Sequence, residues 1–508
     1  MVPFAGITER RRAKDALRET QAILRAALDN TGIMPEAEYH RARISYTWVF
    51  YEEHTTELPF VVGILADLSG RPERPLPPLE NRKFVHVTAE NFENVMVWAR
   101  PRLEIEVPDH LKPSGGTLHM VLEFHALADF EPPGIVNQVP GLRHNLDHPA
   151  LPRQVGEILR HPGFRKLEAT WRGLDFLLRR TPYSHLIRIM VLNARQDELR
   201  GDFARRSDFM GGALAAKLGD EFKILGGTPY SVLLGDFQFT AEAGNMRLLQ
   251  SLALLGEALH VPFIGGAAGD VALPEFFRAA PHSRYAGLVT PRFLARAPHP
   301  EEIAGGGFLW ANPVYLLAAQ MINAFHRHGW CAAFTGTESG GLVDGLPVHG
   351  SAGPLETAIQ EPFDTEIVNR GVIPLLHWKG TDRAVFMAAP TCHAPEAANR
   401  AASRLSYVLA ACRFAHYLKS MIRDIRHPPQ SSEECEQFLN AWLGQYVLDQ
   451  EDAGEAEKAR RPLREGRVKV RGGGLSQFHA TAWLRPHFQM PSPVEPLMIA
   501  VELRPTMT

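Results

Sequence analysis

Cysteine is scarce in this 508-residue chain: Cys331, Cys392, Cys412 and Cys435 lie far apart and form no CxxC pair. That pattern excludes a disulfide framework and a zinc knuckle, and fits a reducing compartment such as the cytoplasm. Long apolar runs are also missing. No segment reaches the about 18 uninterrupted apolar residues that a membrane span needs, so the sequence predicts no direct membrane insertion. The opening MVPFAGITERRRAKDALRET places its basic cluster in a polar stretch with no apolar core behind it, and does not read as a secretory signal. Charge of one sign is lacking too: 54 Lys and Arg stand against 57 Asp and Glu, a formal net charge of -3. Nothing global therefore draws the chain to nucleic acid. The sequence has no G-x-x-x-x-G-K-[ST] phosphate loop, no H-E-x-x-H, no G-x-S-x-G elbow and no G-x-G-x-x-G opening a helix.

What is present is an ordinary globular composition, 45% hydrophobic, long enough for several domains. Residues 8–30 are rich in Ala, Leu, Arg and Glu, and Ala13, Leu17, Leu24 and Leu28 share one helical face, which predicts an amphipathic helix followed by a linker. Residues 45–51 and the apolar run 58–66 predict strands. Four prolines between residues 71 and 80 predict a loop. A strand over 84–87 leads to Thr88 as N-cap of a helix carrying Phe92, Val95, Met96 and Ala99. Leu118, Met120, Leu122 and Phe124 alternate as in a strand with one buried face. From Leu151 a helix pair broken at Pro162-Gly163 precedes strands at 187–192, 232–237 and 262–265 and a helix at 246–260, an alternation that points to a layered α/β core. Asn312-Pro313 and Gly329 bracket a helix, with a strand expected at 330–334. A long helix at 401–425 precedes a strand-rich tail at 467–470, 478–484 and 497–503.

Three places invite a chemical reading. The glycine-rich stretch GTESGGLVDG (336–345) has the look of an anion cradle, yet it holds no lysine, and Glu338 and Asp344 repel phosphate, so a structural turn is expected. His326, His328 and Cys331 are metal-ligand types, but positions 326 and 328 point in different directions on a helix. Asp67 and Asp236 end apolar strands, where α/β enzymes place carboxylates; cap or turn roles are the simpler expectation. No catalytic, cofactor or metal residue is predicted.

Two blocks of sequence resemble the two sheath proteins of the bacterial type VI secretion system. The first resembles the small subunit through ELPFVVGILADLSG (57–70), NRKFV (81–85), RPRL (100–103), LEF (122–124) and QVPGLR (138–143). The second resembles the large subunit through EILRHPGF (157–164), LEATWRGL (167–174), SRYAGL (283–288), LWAN (309–312), GWCAA (329–333), GGLVDGLPVH (340–349), RFAHYLK (413–419) and LRPHFQ (484–489). The matches are collinear with the family order. The implied organisation is an N-terminal helix and linker (1–43), a small-subunit-like α/β unit (44–150) and a larger α/β unit with a strand-rich tail (151–508).

The resemblance implies a structural protomer and no enzyme: a layered sheath-protein fold that polymerises with itself around an inner tube protein, on baseplate components anchored at the envelope, and contracts in the cytoplasm without a cofactor. It also implies strands shared between protomers by β-augmentation, for which Leu497, Ile499, Val501 and Leu503 are the candidate. The join at residues 144–153 is short, so the leader that the family uses toward an AAA+ unfoldase is shortened or lost; either recycling is absent, or the helix carrying Ala13, Leu17, Leu24 and Leu28 has taken over that role. The alternatives are the sheath of a related contractile injection particle, against which the small-subunit block argues, and an α/β enzyme gathering Asp236, Glu338 and Asp344.

Overall fold

A computed structural model describes residues 57–205, 209–268, 271–305, 307–349, 353–359, 363–394, 403–424, 431–450, 452–472, 478–487 and 497–503. The predicted helix at 8–30 and strand at 45–51 lie outside the described residues. Residues Leu58–Thr508 form one compact unit.

Its centre is a seven-stranded sheet. The strands are β1 (Phe60–Ala66), β2 (Val85–Val87), β5 (Ile187–Asn193), β6 (Val232–Phe239), β7 (Phe263–Ala267), β8 (Ala286–Thr290) and β12 (Ile373–Pro374). Between β2 and β5 the chain forms the antiparallel hairpin of β3 (Arg102–Pro108) and β4 (Thr117–Glu123). After β8 come the short paired strands β9 (Phe293–Arg296) and β10 (Leu309–Ala311), and β11 (Leu342–Val343) precedes β12. The spatial order is β12-β8-β7-β6-β1-β5-β2, with every pair parallel except β2 on β5. All seven residues of β1, FVVGILA, are buried. That continuous apolar run is what a strand covered on both faces requires.

β1 belongs to the first sequence block, yet both its neighbours, β5 and β6, belong to the second. The two blocks therefore share one ladder. Among the helices that cover the sheet or extend it are α1 (Phe92–Ala99), α2 (Leu151–Arg160), α3 (Pro162–Arg180), α4 (Ala243–Leu259), α5 (Val314–His328), α6 (Leu405–Asp424) and α7 (Ser432–Gly444). The apolar faces of α3 and α5 join strands of both blocks in one core around the fully buried Trp171 and Tyr315. The chain then adds β13 (Leu376–His377) and β14 (Ala384–Val385), and ends in an antiparallel sheet of β15 (Leu463–Arg471), β16 (Phe478–Pro486) and β17 (Leu497–Leu503), in that order.

Several local expectations need correcting. Thr88 does not cap α1. It exchanges hydrogen bonds with Asn91, whose N–H donates to Thr88 Oγ1 at 3.3 Å while the Thr88 N–H donates to Asn91 Oδ1 at 2.7 Å. That closes a turn ahead of the helix, which begins at Phe92. Residues 330–334 are not a strand. Trp330 is buried because its ring stacks on Phe414 of α6, centroids 4.3 Å apart, and the run is apolar for packing rather than for a ladder. The bracket around α5 behaves as expected: the Val314 N–H donates to Asn312 Oδ1 at 3.2 Å, and Gly329 takes the left-handed conformation at φ 74°.

Candidate functional site

The parallel sheet creates a crevice. From β1 the chain returns to the sheet at β2 and then β5, both on one side, whereas from β6 it continues to β7 on the other. Between the carboxyl ends of β1 and β6 the connections therefore diverge, the place where open α/β sheets form a cleft. The ladder from β1 to β6 stops at Leu65↔Gly235, and an irregularity in the β6–β7 pairing falls between Gly235 and Gln238. Asp236 stands at that parting, and Asp67 follows the last residue of β1.

Both carboxylates line a cavity of about 620 Å³. Thr170 Oγ1 of α3 donates to Asp236 Oδ2 at 2.6 Å, and the Gly70 N–H donates to Asp67 Oδ1 at 3.0 Å. Burial raises the pKa of Asp236, opposed by hydrogen bonding from Thr170, Tyr315 and Asn312 and, more weakly, by Lys166. Burial likewise raises that of Asp67, opposed chiefly by Lys166. The Tyr315 hydroxyl is fully buried beside Asp236, and burial together with that carboxylate raises its pKa. Across the opening stand Arg160, Arg165, Lys166 and Arg292.

A second charged cluster ties the blocks together and is entirely buried at its centre. Glu168 of α3, with a side chain 0% exposed, accepts from Arg296 Nε at 2.6 Å and Nη2 at 2.9 Å. Arg296 Nη1 donates to the equally buried Glu302 at 2.6 Å. Arg172, one helical turn from Glu168, bonds it at 2.7 Å and reaches Glu131 of the first block at 2.6 Å. The two carboxylates hold the Arg296 guanidinium above its ordinary pKa against the cost of burial. Such a network is stable only when every charge is answered.

The other predicted residues separate. Glu338 is exposed, and Asp344 is a half-exposed partner of Arg383 at 2.7 Å; neither lines the crevice with Asp236. Backbone groups of the glycine-rich loop are used internally, the Gly336 N–H donating to Phe386 O at 2.8 Å and the Gly341 N–H to Gly336 O at 2.8 Å. A Cβ on Gly341 would lie 2.4 Å from Phe386 O, so its glycine serves a close backbone approach. His326 is exposed and Cys331 is buried with its Sγ 3.6 Å from Met321 O. Among the described residues no group of three or more His, Cys, Asp or Glu is placed to hold a metal ion.

The candidate assembly strand is β17, which pairs antiparallel with β16 of its own chain: Leu497 opposite Leu484, Ile499 opposite Ala482, Val501 opposite Ala480 and Leu503 opposite Phe478. It is the terminal strand of its sheet, so one of its edges has no partner strand among the described residues. Ala13, Leu17, Leu24 and Leu28 lie outside the described residues.

Residues 144–273 and 274–393 match the family described as EvpB/VC_A0108, tail sheath N-terminal domain, and residues 394–503 match its tail sheath gpW/gp25-like domain. Type VI secretion system sheath protein TssC1 of Pseudomonas aeruginosa is 33% identical over 405 residues, covering 67% of this chain and 81% of the relative. The chain belongs to the type VI secretion tail sheath family. It also carries the small-subunit domain, since residues 35–166 match the family described as type VI secretion system, VipA, VC_A0107 or Hcp2. Sheath protein TssB1 of the same organism is 32% identical over 108 residues, 21% of this chain; the sheath chain spans 62% of that relative's length. Among solved structures, the contracted helical sheath of an anti-feeding prophage aligns over 82% of this sheath chain and 84% of its own at 11% identity, with a TM-score of 0.40. No helix among the described residues is long and apolar enough to cross a membrane.

Proposed function

We propose that the chain works as a complete sheath protomer, small and large subunits in one polypeptide, that polymerises helically around an inner tube protein and contracts to propel it, with no catalytic step of its own. Membership of the sheath family makes it a structural subunit of a helical polymer. The observation that carries the further step is β1, a first-block strand held between two second-block strands. A subunit interface made of ladder hydrogen bonds and a common core moves as one body, so the fused halves act as the unit of the lattice. Residues 44–150 and 151–508 are accordingly two subunit-derived segments of one folded protomer.

Assembly is assigned to β17. Its outer edge offers backbone groups to a strand of a neighbouring protomer, in the register set by Leu497, Ile499, Val501 and Leu503. Assembly takes place in the cytoplasm on an envelope-anchored baseplate, and the segment bearing Ala13, Leu17, Leu24 and Leu28 docks an AAA+ unfoldase after contraction. Negative-stain electron microscopy of the purified chain, alone and with its tube protein, tests the central reading. Hollow cylinders are expected; a monodisperse monomer under both conditions refutes it. Removal of residues 497–508 is expected to leave folded protomers that form no cylinders, and persisting cylinders refute the role of β17. Removal of residues 1–35 is expected to abolish unfoldase binding, and unchanged binding refutes that assignment.

A further inference from the structure

The sheath role makes no use of the crevice between β1 and β6. We propose that it binds a small phosphate ester of a polyol, hydroxyl groups toward Asp67 and Asp236 and phosphate toward Lys166, Arg165 and Arg292. Three features of the site carry this. The cavity of about 620 Å³ falls within the range of about 300–1,000 Å³ usual for small-molecule sites, and lies where a parallel sheet places them.

The charges on its two sides differ in sign. Asp67 and Asp236 occupy the floor, and neither is in an ion pair among the described residues; their bonds are to the Gly70 N–H and the Thr170 hydroxyl. Carboxylates of this kind accept readily from vicinal hydroxyls, as an acidic residue does with a ribose in a dinucleotide site. The rim is cationic. Lys166 is exposed, and Arg292, also in the lining, is held in place by Glu356 through two bonds at 2.7 and 2.5 Å that already answer its charge. Guanidinium and ammonium groups together suit a phosphate.

Finally, the aromatic wall gives the ligand a surface. Trp310 lines the cavity and stacks on Phe308 with centroids 5.8 Å apart, a rigid face against which a sugar ring or a base can lie. A ligand carrying only hydroxyls leaves the rim unanswered, and a bare anion leaves the floor unanswered.

Ribose 5-phosphate titrated calorimetrically into the purified full chain, with ribose and inorganic phosphate as separate titrants, tests this. Saturable binding of the ester at one site per chain is expected, with each part weaker by about tenfold or more. Lys166→Glu is expected to lower ester affinity by about tenfold while leaving that of ribose unchanged, and Asp67→Asn to erase the preference of the ester over inorganic phosphate. Absence of ester binding, phosphate binding as tight as ester binding, or unchanged affinity in both variants overturns the proposal. Cylinder formation is read separately by microscopy, so failure here leaves the sheath reading standing, and failure there leaves the binding result interpretable.

Discussion

Replacing Arg296 with methionine tests how much the buried charge network beside the junction of the two segments stabilises the fold. The substitution keeps an unbranched stem and removes the guanidinium. Glu168 and Glu302, both 0% exposed, then lose their shared partner. Glu168 keeps Arg172 Nε at 2.7 Å, while Glu302 keeps the His299 N–H at 3.0 Å. Removing one partner of a buried pair costs about 3–5 kcal/mol, because the remaining charge stays desolvated. The surviving Arg172 bond places this case near the lower end, about 3–4 kcal/mol. For a body of this size the midpoint of thermal unfolding falls by about 3–4 °C, measurable from tryptophan fluorescence of the full chain. Arg370→Met supplies the contrast: its pair with Glu366 is 43% and 53% exposed, and its loss costs below about 0.5 kcal/mol. Adding Glu168→Gln to Arg296→Met removes one stranded charge and restores about 1–2 kcal/mol. If Arg296→Met moves the midpoint no further than Arg370→Met, the buried network contributes no more than an exposed pair.

Gly173→Ala should destabilise by about 1–3 kcal/mol through overpacking, since its Cβ would lie 2.5 Å from the buried Tyr315 ring; urea unfolding that matches the parent contradicts the packing described. Burial, with Lys419 alongside, pushes the His416 imidazole down to about 3 and holds that of His260 well below its usual value. The unfolded chain then binds protons that the folded one refuses, so the stability is complete above about pH 6.5 and falls as the pH drops toward 3, by up to about 1.4 kcal/mol per pH unit for each histidine. A His260→Gln, His416→Gln double variant with the same pH dependence as the parent rules this out. All four cysteines are buried, and burial pushes the Cys392 thiol up to about 12 and that of Cys435 up to about 11. Ellman's reagent should therefore find no reactive thiol in the native chain and four after denaturation.

Local signals in the sequence are strong where one segment suffices to satisfy them. The run FVVGILA announces a fully covered strand, and Asn312 with Gly329 announces the ends of α5. β3 carries an equally good signal in Leu103, Ile105 and Val107, all buried and alternating, but the prolines that flank it obscure the strand. The stretch 330–334 misleads because apolar residues report burial without saying whether a ladder or a helix supplies it. The charged network is not legible: Glu168 and Arg296 are 128 residues apart and nothing local couples them. Asp67 is recognisable as a strand-end carboxylate, whereas Asp236, expected at a strand end, lies inside β6 where its ladder to β1 has stopped. Their meeting depends on the sheet order that lays β1 beside β6, which is set by tertiary packing.

The position of β1 also sets an order of events during synthesis. Its first partner, β5, begins at Ile187, and on the other side Val61 waits for Ser231, 170 residues later. At ribosomal rates of about 5–20 residues per second, that interval is about 10–30 s. Until β5 emerges the segment FVVGILA is a bare apolar strand with two open edges, and until β6 emerges one edge stays open. When the two sheath subunits are separate chains, that wait ends by collision between molecules and depends on their concentrations. In a single chain it ends when the next stretch of the same polypeptide emerges, and the partner is always present in equal number.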